Sequence, residues 1–311
     1  MIARVAALTA LLVGAAGCAS VQPAGDRVRV VVGFYPLQYV VEQIGGDRVT
    51  VTNLAQSGAE PHDLELSPQQ VAAVADADLV VYLSGFQPEL DEAVELEARD
   101  EALEVSSVVP LIEGGATHAH DELTGEHAAE SESEPAEDGG RDPHFWLDPT
   151  RLSIVATAVS ERLAAVDPAG AAAYASAATS LAGRLSDLDR TYAQRLATCQ
   201  RREIVVSHAA FGYLAERYDL EQIGITGLSP DVEPTPQRLA EVTAAARHHG
   251  ATTIFFETLV SPRVAEAIAT EVGAATAVLD PLEGLPAGST GDYVSVMRTN
   301  LDALTTALGC A

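Results

Sequence analysis

Apolar residues along the chain fall into short continuous runs separated by longer stretches with helical spacing, and this order recurs. Residues 28–34 form a β-branched run closed by Tyr35-Pro36, which predicts a buried strand. Residues 36–44 are apolar at helical intervals and stop at Gly45-Gly46. The same signals predict strands at 48–54, 78–83 and 103–109 and helices at 67–75 and 90–97. Ser67 caps the first of these helices, with Pro68 at its first position. Strands apolar on both faces that alternate with helices make a parallel sheet covered by helices. The pattern restarts after Cys199. Strands are predicted at 203–207, 223–227, 253–257 and 275–279, and helices at 209–218, 236–248, 262–270 and 292–308. Between the two series, residues 150–165 and 168–196 are rich in Ala and Leu at helical spacing. The second stretch has no internal proline and two glycines, Gly170 near its start and Gly183. A helix of that length spans about 40 Å, too long for a simple crossover, so it predicts a connector. The expected architecture is α/β: two parallel-sheet (β/α)4 lobes, 28–149 and 199–311, joined through a helical connector at 150–198 by one long rigid α-helix.

Two segments depart from this rhythm. Residues 113–141 hold His118, His120 and His127 among many Glu, Asp, Gly and Ser, with almost no apolar periodicity. They predict a disordered surface loop, for which weak metal capture is one role and an inert solvated linker the other. Residues 1–17 carry Arg4, a short apolar run and small residues up to Gly17-Cys18. This predicts a signal peptide, too short to span a membrane. Cleavage before Cys18 would leave a lipidated cysteine on a polar tether at 18–27, because Ala15-Ala16-Gly17-Cys18 resembles a bacterial lipoprotein signal. An ordinary secreted protein cut nearby is the alternative.

Composition narrows the chemistry. The 311 residues are 47% hydrophobic and only 5% aromatic, so the core is mostly Ala, Val, Leu and Ile. A formal charge of −27 with no lysine repels nucleic acid and suits cations. The two remaining cysteines, Cys199 and Cys310, are most simply a disulfide in an oxidising compartment, with two buried thiols as the alternative.

Three histidines stand in turn-like contexts: Pro61-His62-Asp63, Asp142-Pro143-His144 and Ser207-His208-Ala209. A carboxylate stands in a fourth, Leu279-Asp280-Pro281. Taken alone, each is an ordinary turn residue. Three of the four follow predicted strands, where parallel α/β sheets bind their ligands. Three imidazoles and one carboxylate also make up a closed tetrahedral metal site.

The segments Gly58-Ala59-Glu60-Pro61-His62-Asp63-Leu64, Asp142-Pro143-His144-Phe145-Trp146-Leu147-Asp148-Pro149, Ser207-His208-Ala209-Ala210-Phe211-Gly212 and Leu279-Asp280-Pro281-Leu282 resemble, in order, the four signature segments of the metal-binding solute-binding proteins of ABC importers (cluster A-I). The resemblance implies two α/β lobes joined by a long helix, with the metal in the cleft between them. It makes His62, His144, His208 and Asp280 the ligands. His rather than Glu at 208 points to Zn²⁺ over Mn²⁺, as does a nitrogen-rich donor set. Glu60 is a rival fourth ligand. Glu233 and Glu257 are candidates to hydrogen-bond a ligand histidine and fix its tautomer, or to serve lobe packing. The pair His248-His249, at a predicted helix end, reads as structural.

The implied protein is a zinc carrier, outside the cytoplasm and held to the membrane only by its lipid. It is a monomer that hands Zn²⁺ to a permease with a cytoplasmic ATPase, and a metallochaperone is a further candidate partner. A manganese or iron carrier, a zinc hydrolase and a metal-dependent surface adhesin are the other readings. No His-Glu-x-x-His motif is present and Asp280 is expected to close the coordination sphere, so an enzyme is not expected.

Overall fold

The computed structural model describes residues 27–114 and 140–311. The expected signal peptide, the Cys18 lipidation site, most of the tether, and His118, His120 and His127 lie outside the described residues.

Each half of the chain builds one four-stranded, wholly parallel sheet. In the first, β1 (Val28–Val32), β2 (Val49–Asn53), β3 (Leu79–Tyr82) and β4 (Ala102–Glu104) take the order β2-β1-β3-β4. In the second, β5 (Glu203–Val206), β6 (Glu221–Gly224), β7 (Thr253–Phe256) and β8 (Ala275–Val278) take the order β6-β5-β7-β8. The identical order puts a topological switch point beside β1 in one lobe and beside β5 in the other, where an open α/β sheet forms its ligand crevice. The helices are α1 (Tyr35–Gly45), α2 (Pro68–Ala75), α3 (Pro88–Glu97), α4 (Pro149–Val166), α5 (Ala171–Leu196), α6 (Gly212–Tyr218), α7 (Pro236–His248), α8 (Arg263–Val272) and α9 (Tyr293–Leu308).

The period-two alternation of strand side chains divides the core. Val30 and Val32 of β1, and Ile204 and Val206 of β5, point to one face and join a single apolar cluster with α1, α4, α5, α6 and α9. Val31 and Val205 point the other way, into separate clusters under α2 and α3 and under α7 and α8. The shared cluster runs along α5, whose Tyr174, Leu181, Leu185, Leu188, Tyr192 and Leu196 are buried at helical spacing. Its 26 residues span roughly 39 Å at 1.5 Å per residue. Because one core serves both lobes, hinging them apart would tear close-packed apolar surface, which resists large rotation.

The structure corrects several sequence expectations. The connector is two helices, as the stretches at 150–165 and 168–196 predict; Asp167-Pro168 ends α4, and a short 3₁₀ turn delays the start of α5 to Ala171. The strand expected at 103–109 stops at Glu104, whose carboxylate instead accepts from the Ser106 N–H and starts a 3₁₀ turn. The helix expected from 209 begins at Gly212, since residues 208–211 form the turn that carries His208. The ends of the 113–141 segment are ordered. Glu113 bridges Arg141 in antiparallel fashion, and Asp142 N–H donates to Ile112 O at 2.9 Å.

Among the described residues, no helix is long and apolar enough to cross a membrane. Cys199, after α5, and Cys310, after α9, are disulfide-bonded.

Candidate metal centre

His62, His144, His208 and Glu283 each offer one ligand atom to a common point, and these atoms lie within 4.8 Å of one another. Each arrives by a different route. His62 stands in the loop after β2. Gln87, just after β3, donates through Nε2 to Pro61 O and Gly33 O, both at 3.1 Å, and so ties that loop to the end of β1. The His62 ring packs edge-on against Phe86. His144 opens a 3₁₀ turn after Pro143, and its ring rests beside Trp146. His208 follows β5 at the switch point of the second sheet. Glu283 lies in the turn between β8 and α9.

The distances suit a small tetrahedral ion. Glu283 Oε1 is 2.8 Å from His144 Nε2, 3.0 Å from His208 Nε2 and 3.4 Å from His62 Nε2. The Nε2 atoms of His144 and His208 are 3.4 Å apart. Zinc–nitrogen bonds of about 2.0–2.1 Å set tetrahedral ligand–ligand edges at about 3.3–3.4 Å, so small outward shifts fit the ion.

Two of the histidines are oriented from behind. His144 Nδ1 donates to Asp142 Oδ1 at 2.8 Å, and His208 Nδ1 to Glu257 Oε1 at 2.9 Å. A carboxylate accepts only, so each Nδ1 carries the proton and Nε2 faces the ion. Without an ion, both rings lie between two carboxylates. Burial opposes the imidazolium of His144, but Asp142 and Glu283 outweigh it and hold the ring above its ordinary value. His208 is held well above in the same way, by Glu283 and Glu257 against burial. For Glu283, burial opposes the anion, yet His208 and the other histidine contacts pull it well below the usual carboxylate range.

Asp280, expected as the fourth ligand, is not in the cluster. Its Oδ1 accepts from Leu282 N–H and its Oδ2 from Thr258 Oγ1, both at 2.8 Å. Glu283, three residues on, takes the position. Glu60 also stays outside. Its Oε1 accepts from His62 N–H at 3.3 Å, and burial and the charge of Glu283 push it up to about 9. Glu257 holds His208, whereas Glu233 is exposed and lines a cavity of about 300 Å³ behind Ser207 and Glu257. His249 pairs with Glu203 at 3.2 Å, away from the centre. Glu283 and Asp142 were missed in the sequence. The available signals were an acid three residues past Asp280 and another two residues before His144.

Gly212 is forced by this geometry. A Cβ there would lie 2.6 Å from Asp142 Oδ2, inside contact distance of a carboxylate that is itself buried. Gly212→Ala is expected to push Asp142 off His144 and lower zinc affinity by about tenfold or more with the fold intact. Isothermal titration against a competing chelator measures this, and an unchanged affinity would refute the coupling.

The sequence matches the family described as zinc-uptake complex component A, periplasmic, over residues 30–307. The chain belongs to this family. It is 33% identical over 305 residues to the high-affinity zinc uptake system protein ZnuA of Bacillus subtilis, covering 94% of this chain and 93% of that protein. It is 34% identical over 297 residues to the zinc-binding protein AdcA of Streptococcus pyogenes, covering 90% of this chain and 56% of that one. The chain therefore spans about half the length of AdcA. Among solved structures, the laminin binding protein Lmb of Streptococcus agalactiae, described as bifunctional with adhesin and metal transporting activity, is similar with a TM-score of 0.78. Its identity is 31%, covering 91% of this chain and 99% of that one. The Zn(II)-bound ZnuA-like domain of Streptococcus pneumoniae AdcA is similar with a TM-score of 0.73 and 30% identity, again covering 91% and 99%. Membership of the zinc-uptake component A family accounts for the paired lobes and for the four segments that meet between them.

Proposed function

We propose that this chain captures Zn²⁺ outside the cytoplasm and delivers it to a membrane permease driven by a cytoplasmic ATPase. The observation that carries the proposal is the convergence of three imidazole Nε2 atoms and one carboxylate oxygen at near-tetrahedral spacing. Zinc is the cargo. It is bound by His62, His144, His208 and Glu283, while Asp142 and Glu257 hold two of the rings. Three neutral nitrogens and one oxygen favour Zn²⁺ over the harder Mn²⁺. Four protein donors leave no open position for an attacking water, which favours a carrier over a hydrolase. Lipidation at Cys18 would keep the monomeric carrier at the membrane beside its permease, and zinc reaches it free or from a metallochaperone.

Binding zinc must expel the protons that the carboxylates hold on His144 and His208. In the metal-free fold, those raised imidazolium groups stabilise at pH below the unfolded histidine value. The contribution is lost as pH rises through the raised folded values. Zinc affinity has the opposite sign and strengthens as pH rises through the same window. Competitive titration of Zn²⁺ against Mn²⁺ between about pH 8 and about pH 5.5 tests both points. Zinc is expected to displace equimolar manganese at the upper pH and to weaken progressively towards the lower, with protons released on binding. Manganese displacing equimolar zinc would sink the assignment.

A further inference from the structure

We propose that Asp280 is a positioning residue that acts on the metal through Glu283 rather than by touching it. The inference rests on the reading of the four-donor centre as a zinc site.

Two carboxylates share the turn after β8, and its backbone decides which one reaches the ion. The turn bends at Leu282, which has φ 60°, in the left-handed region that residues with a Cβ rarely adopt. Leucine has no side-chain polar group to favour that conformation, and Leu282 is fully buried, so its surroundings must impose it. Trp146 Nε1 pins the Pro281 carbonyl at 2.7 Å, and Asp280 supplies the restraint on the Leu282 N–H. Its Oδ1 accepts from the Leu282 N–H across the bend, and its Oδ2 is held by Thr258 Oγ1 on the neighbouring β7 side of the sheet. Asn300 of α9 brackets the Asp280 backbone: its Oδ1 accepts from Asp280 N–H at 2.9 Å and its Nδ2 donates to Asp280 O at 2.7 Å. Beyond the bend, the opposite lobe takes hold. Tyr35 N–H donates to Glu283 O at 3.3 Å and Gly58 N–H to Leu285 O at 2.9 Å.

Glu283 is therefore gripped from the first lobe after the bend, while Asp280 alone offers a side-chain acceptor to the bend itself among the described residues. Removing that acceptor lets Leu282 relax to negative φ. The Cα–Cβ bond of Glu283 then turns, and its Oε1 leaves the focus of the three Nε2 atoms. This also explains why a carboxylate so near the centre is not a ligand, since one of its oxygens already has a partner in the turn and the other is held by Thr258.

Asparagine separates positioning from ligation. Its Oδ1 can accept from Leu282 N–H and its Nδ2 can donate to Thr258 Oγ1, so Asp280→Asn keeps the clamp and removes the charge. Asp280→Ala removes both. Zinc affinity by competitive titration, and the intensity of the Co²⁺ d–d bands as a measure of four-coordination, are read on the full chain for wild type, both variants and Glu283→Ala. Asp280→Ala is expected to lose about 10–100-fold in zinc affinity and to show weakened bands like those of Glu283→Ala. Asp280→Asn should stay within about threefold of wild type, with unchanged bands, because the amide replaces both hydrogen bonds. If Asp280→Ala does not fold, Thr258→Val, which removes one of the two carboxylate contacts, takes its place and should weaken both readouts. Equal losses in Asp280→Asn and Asp280→Ala would make Asp280 a ligand and overturn the proposal. Wild-type behaviour of Asp280→Ala, or of Thr258→Val where that substitutes for it, would overturn it too. Failure of the zinc reading is separate, because wild type would then bind no zinc, or Glu283→Ala would bind it as wild type does, and that result would overturn both.

Discussion

His208→Ala is expected to lower zinc affinity by more than a hundredfold while leaving the protein folded. A four-donor zinc centre yields about 10–16 kcal/mol in total, so one ligand carries roughly 3 kcal/mol, which is over two decades in Kd. Of His208 and His62, His208 is expected to be the costlier to remove. It faces Glu283 at 3.0 Å through Nε2 and Glu257 at 2.9 Å through Nδ1, and it is buried. Alanine removes one donor and leaves the buried Glu257 without its imidazole, though Ser207 Oγ still donates to Glu257 Oε1 at 2.6 Å. That stranded charge raises the cost further. By contrast, the His62 side chain is partly exposed and has only the longer 3.4 Å approach to Glu283, so His62→Ala should lose less. Chelator competition at neutral pH ranks the two variants. If His208→Ala retained affinity within about tenfold of wild type, the four-donor reading of the centre would fail.

The lobes, the alternation of strands and helices within each half and the long helix were legible in the sequence because they rest on periodicity. Buried parallel strands read as unbroken apolar runs, and α5 buries one residue type pattern over many turns. The three histidines were legible because each ends a strand or opens a turn with Pro or Ser beside it. The fourth ligand was not. Asp280 and Glu283 are both acids in one short turn, and the choice between them depends on a backbone bend at Leu282. No propensity predicts that bend, since leucine is a poor candidate for the left-handed region, and the Asp280 carboxylate that bridges it is itself held by Asn300 and Thr258 from distant parts of the chain. Asp142 was hidden for a related reason. A lone Asp before Pro reads as a turn residue, and only the folded geometry puts its carboxylate on His144 Nδ1 while Gly212 leaves room for it. The break at Asp167-Pro168 shows the reverse case. Its signal was local, and it already separated the stretches 150–165 and 168–196 that become α4 and α5.

Replacing Cys199 and Cys310 together by serine is expected to lower Tm by roughly 8 °C or more without changing zinc affinity. The bond joins residues 111 apart in sequence. A closed loop of about that length restricts the unfolded chain by about 4–5 kcal/mol in the entropic account, and a chain of this size moves by about 2–4 °C per kcal/mol. The native contacts around the bond do not depend on it. Gln200 and Arg201 N–H groups both donate to Leu308 O at 3.1 Å, the Arg201 guanidinium reaches Ala307 O, and Thr252 Oγ1 donates to the same carbonyl at 2.8 Å. With the end of α9 still docked, the serine variant should keep its native state and lose mainly the constraint on the unfolded one. Among the described residues, none of the contacts that hold His62, His144, His208 or Glu283 passes through these residues, so the zinc isotherm at room temperature should overlay that of the wild type. Calorimetry of both metal-free proteins decides the matter. A shift below about 2 °C would show that the unfolded chain is not restrained by the crosslink, and a matching loss of zinc affinity would show that the bond supports the metal centre rather than the fold.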